Sequence, residues 1–230
     1  MTPIKNKKQT ALQSSFHMGL TYLLLALGVF LGACAEGIYG YLLEPILFHT
    51  CINDAGTIQS IIHWVITCIS WGILILIFLH IAQRRCNFKI IEKSNRLTFV
   101  QIFLALFSII FCLILSYMDW HGFKMFLEYQ HRGALLFIFQ YIYYMFETLI
   151  FSFIIIFAQK AFECWFSKKN IPYGGIITAL TWGLIHILTK GSIEAGIFCA
   201  IKGFLFGTTY LVMNRNIKKA YPVLFLMFVL

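Results

Sequence analysis

Residues 97–118 read Leu-Thr-Phe-Val-Gln-Ile-Phe-Leu-Ala-Leu-Phe-Ser-Ile-Ile-Phe-Cys-Leu-Ile-Leu-Ser-Tyr-Met, 22 positions without one Asp, Glu, Lys or Arg. Wound as an α-helix, this stretch rises about 33 Å, enough to cross a hydrocarbon core about 30 Å thick. Its apolar side chains run continuously and do not alternate, so they do not fit the dyad pattern of a transmembrane β-barrel.

The same pattern repeats along the chain. Helices are expected over 16–34, 60–83, 97–118, 133–158 (continuing toward Trp165), 174–188 and 194–213. A last apolar stretch, 221–230, rises only about 15 Å and is too short to cross. The expected fold is an all-α, multi-spanning transmembrane helical bundle, with about six full spans and a short seventh segment. No repeat, low-complexity tract or linker divides it, so residues 1–230 form one domain.

Composition agrees. Of the 230 residues, 60% are hydrophobic and 12% charged, where a soluble domain carries about 25% charged residues. Mean hydropathy is +0.81. A soluble enzyme, a disordered tail and a secreted disulfide scaffold are excluded. The seven cysteines, Cys34, Cys51, Cys68, Cys86, Cys112, Cys164 and Cys199, are scattered, with no C-x-x-C pair. They read as buried free thiols.

The net charge of +9 comes from 18 basic and 9 acidic residues. Lys5, Lys7 and Lys8 precede the first expected helix, and Arg84, Arg85, Lys89, Lys93 and Arg96 follow the second. Lys160, Lys168 and Lys169 follow the fourth, and Arg215, Lys218 and Lys219 follow the sixth. The alternate loops hold Glu36, Glu44, His49 and Asp54, then Asp119, Lys124, Glu128 and Arg132, then Lys190. By the positive-inside rule this is a multi-pass protein of the cell membrane with a cytoplasmic N-terminus. The charge therefore reports orientation, and nucleic acid is not an expected partner; the lipid bilayer is.

Ionisable side chains inside spans are costly and serve as functional candidates by default. Glu147, His186 and His63 are the three that matter here. Gln140, Tyr143 or Tyr144, and Glu147 recur at three- and four-residue steps and so share a helical face that must turn inward. A carboxyl there is expected to be protonated or hydrogen-bonded. Trp182 lies one turn before His186 on the same face. His63, taken alone, reads as packing. Depth counted from the helix ends puts Glu147 and His186 at a common level, where a carboxylate and an imidazole facing one wet cavity would suit a general base and an oxyanion stabiliser.

The order and spacing of these elements resemble the CAAX prenyl protease and bacteriocin-processing (CPBP, or Abi) family of intramembrane proteases. Its signature is E-E-x-x-x-R on one helix, F-x-x-x-H on the next, and a late H-x-x-x-N. Glu147 to Ser152 falls on the first motif and Trp182 to His186 on the second, within a similar region of about 134–230. Thr148 stands for the second Glu, Ser152 for the Arg, and Trp182 for the Phe. About four residues after Pro222, where the third motif would fall, the chain reads Leu226-Met227-Phe228-Val229-Leu230, without His or Asn. A continuation beyond Leu230 carrying H-x-x-x-N would restore the third motif and with it the enzyme reading.

The resemblance implies Glu147 and His186 as catalytic residues and admits zinc as a cofactor. Two side chains fall short of the three protein ligands a catalytic zinc takes, so no metal site is expected unless His63 or Glu194 contributes. The expected function is that of an intramembrane endopeptidase homologue with an incomplete active site, acting on a membrane-bound or prenylated peptide. The alternative is a non-catalytic membrane protein that binds a peptide or partner, in bacteriocin self-immunity or as a scaffold. A transporter is a third class, but matching Gly/Pro-broken halves are not seen.

Overall fold

In a computed structural model the chain is described over residues 3–49, 56–91 and 95–230, with side chains from residue 13 onward. Cys51, Asp54, Lys93 and the side chains of Lys5, Lys7 and Lys8 lie outside the described residues. Every regular element among those residues is helical: α1 (Pro3–Ala33), α2 (36–48), α3 (Thr57–Cys86), α4 (Phe99–Trp120), α5 (Lys124–Phe166), α6 (173–190), α7 (Ile193–Val212) and α8 (Ile217–Val229). Two of these are composite. A π turn at Tyr39–Leu43 interrupts α2, and another at Ala179–Gly183 interrupts α6.

Five helical stretches are long and apolar enough to cross a membrane: Gln13–Phe48, Thr57–Cys86, Phe99–Trp120, Lys124–Phe166 and Ile193–Val212. The protein is a membrane-embedded helical bundle. Its outer face supports this, since Phe99, Val100, Phe103, Leu106, Phe107, Ile110 and Ile114 of α4 are all exposed, a contiguous apolar strip that water would not tolerate. The expected fifth helix, 174–188, exists as α6 but in three pieces. It still runs from one end of the bundle to the other.

Contacts identify those ends. At one of them Lys219 Nζ donates to the Asn95 carbonyl (2.6 Å), Arg215 Nε pairs with Glu163 (3.0 Å), and Ser15 Oγ donates to the Cys164 carbonyl (2.7 Å). Arg215 also donates to the Lys169 carbonyl. The basic stretches after α3, α5 and α7 therefore meet at a single end. At the opposite end Lys190 Nζ pairs with Asp119 Oδ2 at 3.0 Å.

The centre of the bundle is α5. Along it Ile150, Phe151, Ser152, Phe153, Ile154, Ile155, Ile156, Phe157, Ala158, Gln159 and Ala161 are all buried, and a helix apolar around its whole circumference must be enclosed by others. It packs on α1, α3, α6 and α8. The contact between α6 and α7 is close: a Cβ on Gly175 would lie 2.5 Å from the Phe204 carbonyl oxygen, and one on Gly183 would lie 2.5 Å from the Ala200 Cα. Small residues at such a crossing let backbones approach within van der Waals reach, the main attraction left between helices in lipid.

Residues 221–230 were expected to form a short, non-crossing segment. All but Leu230 lie in α8, whose 13 residues rise about 20 Å, and Leu224, Met227, Phe228 and Val229 enter the core. Lys124 and Glu128, read as loop charges, are also buried in helix, at 6% and 2% exposure. The reason is a reversal within α5 at Gly133, whose φ of 73° and ψ of 170° are not helical. The segment 124–132 folds back on the rest of α5, so that Tyr129 packs on Phe137 at 5.5 Å. Glu128 then accepts from Gln140 Nε2 (3.0 Å), Tyr141 OH (3.2 Å) and Tyr144 OH (2.5 Å).

Nothing lies within 4 Å of a Cβ built on Gly133, so the backbone angle alone resists substitution there. Gly133→Ala is expected to cost about 1–3 kcal/mol. It should lower the thermal midpoint of the detergent-solubilised protein without a steric defect. Glu128→Gln, which removes the charge that three donors satisfy, should cost less when combined with Gly133→Ala than when made alone.

Candidate functional site

Glu147, on α5, accepts a hydrogen bond on Oε1 from the indole Nε1 of Trp182 at 3.0 Å. Trp182 belongs to the π turn of α6, and its carbonyl accepts from His186 Nδ1 at 2.7 Å, with the two rings edge to face at 4.8 Å. A carbonyl oxygen only accepts, so Nδ1 carries the proton and Nε2 keeps a lone pair. Trp182 thus connects the two side chains singled out in the sequence, one through its ring and the other through its backbone.

All three line a cavity of about 330 Å³, together with Phe30, Glu36, His63, Trp71 and Tyr143. Glu147 and His186 are therefore brought into one site, as their depth suggested. Thr148 and Ser152 are not part of the lining. Thr148 is fully buried and donates to the Tyr144 carbonyl at 2.7 Å, while Ser152 sits in the core with its hydroxyl unpartnered.

The inward polar face of α5 divides in two. Gln140 and Tyr144 turn to Glu128, whereas Tyr143 and Glu147 face the cavity. Tyr143 OH donates to both oxygens of Glu36, at 2.9 and 3.1 Å.

Glu36 and Glu44, assigned to a loop by sequence, lie instead in α2 and clasp His63. The ring's Nδ1 is 2.6 Å from Glu44 Oε1 and its Nε2 is 3.1 Å from Glu36 Oε1. His63 is thus the hub of a carboxylate–imidazole–carboxylate chain, and the packing reading corrects to that. Eight residues of a straight α-helix turn through about 800°, leaving Glu36 and Glu44 about 80° apart. The π turn between them, with its wider i→i+5 bonds, is wound more loosely and takes up much of that difference. Two hydrogen bonds around His63 require two protons on the trio, which then carries one net negative charge. Glu44 is 3% exposed, and its Oε2 is buried with no hydrogen-bond partner among the described residues.

The sequence signal for this cluster was present: the apolar run continues past Cys34 to Phe48, with only Glu36 and Glu44 as charges. Extending the first helix to Phe48 flags both carboxylates as intramembrane. Of the seven cysteines, the six within the described residues are free thiols, with Cys68, Cys112 and Cys199 buried and Cys34 exposed beside the cavity.

Zinc, which the family resemblance admits, does not fit these residues. Both His63 nitrogens are taken by carboxylates, Glu194 is exposed in the first turn of α7, and His186 Nδ1 is committed to a carbonyl. Among the described residues no three His, Cys, Asp or Glu side chains converge as a metal site requires.

Phe228 packs against Tyr144, Phe151 and Trp182, at 5.0, 5.6 and 5.7 Å between ring centroids. Phe206 completes this aromatic cluster, stacked on Phe151 at 4.6 Å. The chain matches no protein-family model, no curated protein and no solved structure.

Removing the imidazole leaves two carboxylates facing each other in a largely dry setting. His63→Leu is expected to cost about 3 kcal/mol, the lower end of the range for an orphaned buried pair because the Glu36 side chain is 28% exposed. Adding Glu44→Gln should restore more than half of that loss. Additive costs in the double-mutant cycle, followed by unfolding in mixed micelles, would show that the trio is not coupled.

Proposed function

We propose that this chain is a CAAX-protease-like membrane protein that takes the polar part of a membrane-borne peptide into the cavity between α2, α3, α5 and α6, and holds it without cutting it. One observation carries the reading: in a bundle otherwise so apolar, Glu147, His186, Glu36 and His63 all line a single cavity. A second observation favours binding over cleavage. In 226–230, the stretch the resemblance would give to a late His and Asn, the chain has neither, and Phe228 packs its ring against Trp182.

Hydrolysis is the competing reading. Its support is the indole N–H of Trp182, which gives Glu147 a donor where the family motif has an Arg. In that reading Glu147 takes a proton from water, which attacks the peptide carbonyl, and returns it to the departing amine. His186, whose free Nε2 is an acceptor, would hold the N–H of the departing amine and not the carbonyl.

Gly37 lines the cavity, and a Cβ on it would meet only a Tyr41 ring carbon, at 4.0 Å. Gly37→Trp therefore fills the cavity while leaving the backbone unstrained. The probe is a farnesylated tetrapeptide bearing a photoreactive group. It should label the reconstituted protein, lose at least tenfold in labelling with Gly37→Trp, and be recovered intact from both. Recovery of cleaved peptide from the unmodified protein, but not from Glu147→Gln, would replace this reading with hydrolysis.

The placement proposed is the cell membrane, crossed several times, with the N-terminus cytoplasmic. It is supported by the gathering of the basic loops at one end of the bundle. A reporter active only outside the cytoplasm should give signal when fused after Gly122 or Gly191 and none when fused after Lys169 or Lys219. The reverse pattern overturns the orientation.

A further inference from the structure

The chemistry of the cavity specifies its ligand more narrowly than its volume does. Its carboxylates are Glu36 and Glu147, with His63 joined behind Glu36 to the buried Glu44. No Lys or Arg lines it. The two lysines whose charges act on Glu147 are engaged elsewhere, Lys124 on the Phe228 carbonyl at 3.2 Å and Lys190 on Asp119 at 3.0 Å. Aromatic rings from Phe30, Tyr41, Trp71, Tyr143 and Trp182 make up much of the remaining wall, with Ile150 and Ile185 beside them. Tyr143 lies against Trp71 at 5.1 Å, and Tyr41, 66% exposed, stands at the mouth. Glu44, joined to this wall only through His63, is buried and does not itself line the cavity.

Carboxylates beside aromatic faces, with no lysine or arginine among the described lining residues, form the environment in which ammonium groups are recognised. At about 330 Å³, the space is at the small end of the range of about 300–1,000 Å³ for small-molecule sites. It suits a head group with a short arm, and an extended peptide backbone would overfill it.

We propose that this cavity is a binding site for an organic cation, a primary or quaternary ammonium group, seated between Glu36 and Glu147 against Trp71, Tyr143 and Trp182. This rests on the peptide-holding reading in one respect: it names the group of the peptide that enters, a lysine or terminal ammonium. A lipid choline has the same chemistry.

The test uses the full chain in phosphatidylglycerol nanodiscs, with choline and its neutral isostere 3,3-dimethylbutanol as probes and tryptophan fluorescence as the readout. Choline should saturate and bind at least tenfold more tightly than the alcohol. Glu147→Gln keeps an amide oxygen for the Trp182 N–H, and combined with Glu36→Gln it should remove that preference. Tyr41→Ala, at an exposed position, should weaken choline and leave the alcohol unchanged. Equal affinity for the two probes, or no saturable binding of choline to the unmodified protein, overturns the proposal.

Two arms separate the sources. A hydrophobic model peptide with one lysine should displace choline, and the same peptide with leucine should not; this outcome supports both the cation site and the peptide reading. If phosphatidylcholine nanodiscs block choline and neither peptide competes, the cation site stands with a lipid occupant and the peptide reading falls. Photo-labelling by the peptide without any cation preference does the opposite.

Discussion

A carboxylate enclosed by a bundle this apolar has to be met by donors from the chain itself, because neither lipid nor neighbouring Leu, Ile and Phe side chains supply any. Much of the arrangement follows from that constraint. Glu128 gathers two tyrosines and a glutamine, and this draws a reversed helical segment onto α5. Glu36 and Glu44 share His63, which holds α2 against α3. Glu147 takes the indole of Trp182 and so ties α5 to α6. Each acidic group is the point at which two elements are fixed, and the contacts between them set which elements surround the cavity.

The bundle and most of its helices could be read from hydropathy alone, since runs such as 97–118 contain nothing that a bilayer would reject. Glu147, Trp182 and His186 were legible for the complementary reason that polar groups stand out in such runs. What could not be read is where helices continue through charged residues. Ending the first helix near Cys34 turned Glu36 and Glu44 into loop charges, and starting the fourth at Gly133 did the same to Lys124 and Glu128. In each case the partner that makes the charge tolerable is distant in sequence: Glu44 and His63 are 19 residues apart, Glu36 and Tyr143 are 107 apart. Periodicity within a segment carries no record of such pairings.

The two π turns show a second limit. Each is a local change of winding in a helix that bears site residues, and each does geometric work. One brings two carboxylates to a common ring; the other lies where Trp182 presents its indole to α5 and its carbonyl to His186. A helical wheel drawn at a constant 100° per residue misplaces both sets. Close packing of α6 on α7 through glycine then fixes the turn in place from behind.

The hydrogen bond from Lys124 to the Phe228 carbonyl joins two segments that seem unrelated. Carbonyls in the last turn of a helix have no partner within it, and α8 finds one on the reversed segment of α5. The ammonium also lies 4.7 Å from the centre of the Phe228 ring and 4.3 Å from that of Tyr144. Lys124 thus ties the end of α8 to the fold-back at Gly133, which Glu128 also holds through Gln140, Tyr141 and Tyr144. Whatever pries residues 124–132 away from α5 also strips the cap from α8 and frees the ring that leans on Trp182. Lys124, Phe228, Trp182 and Glu147 thus form one continuous line of contacts from the fold-back to the cavity.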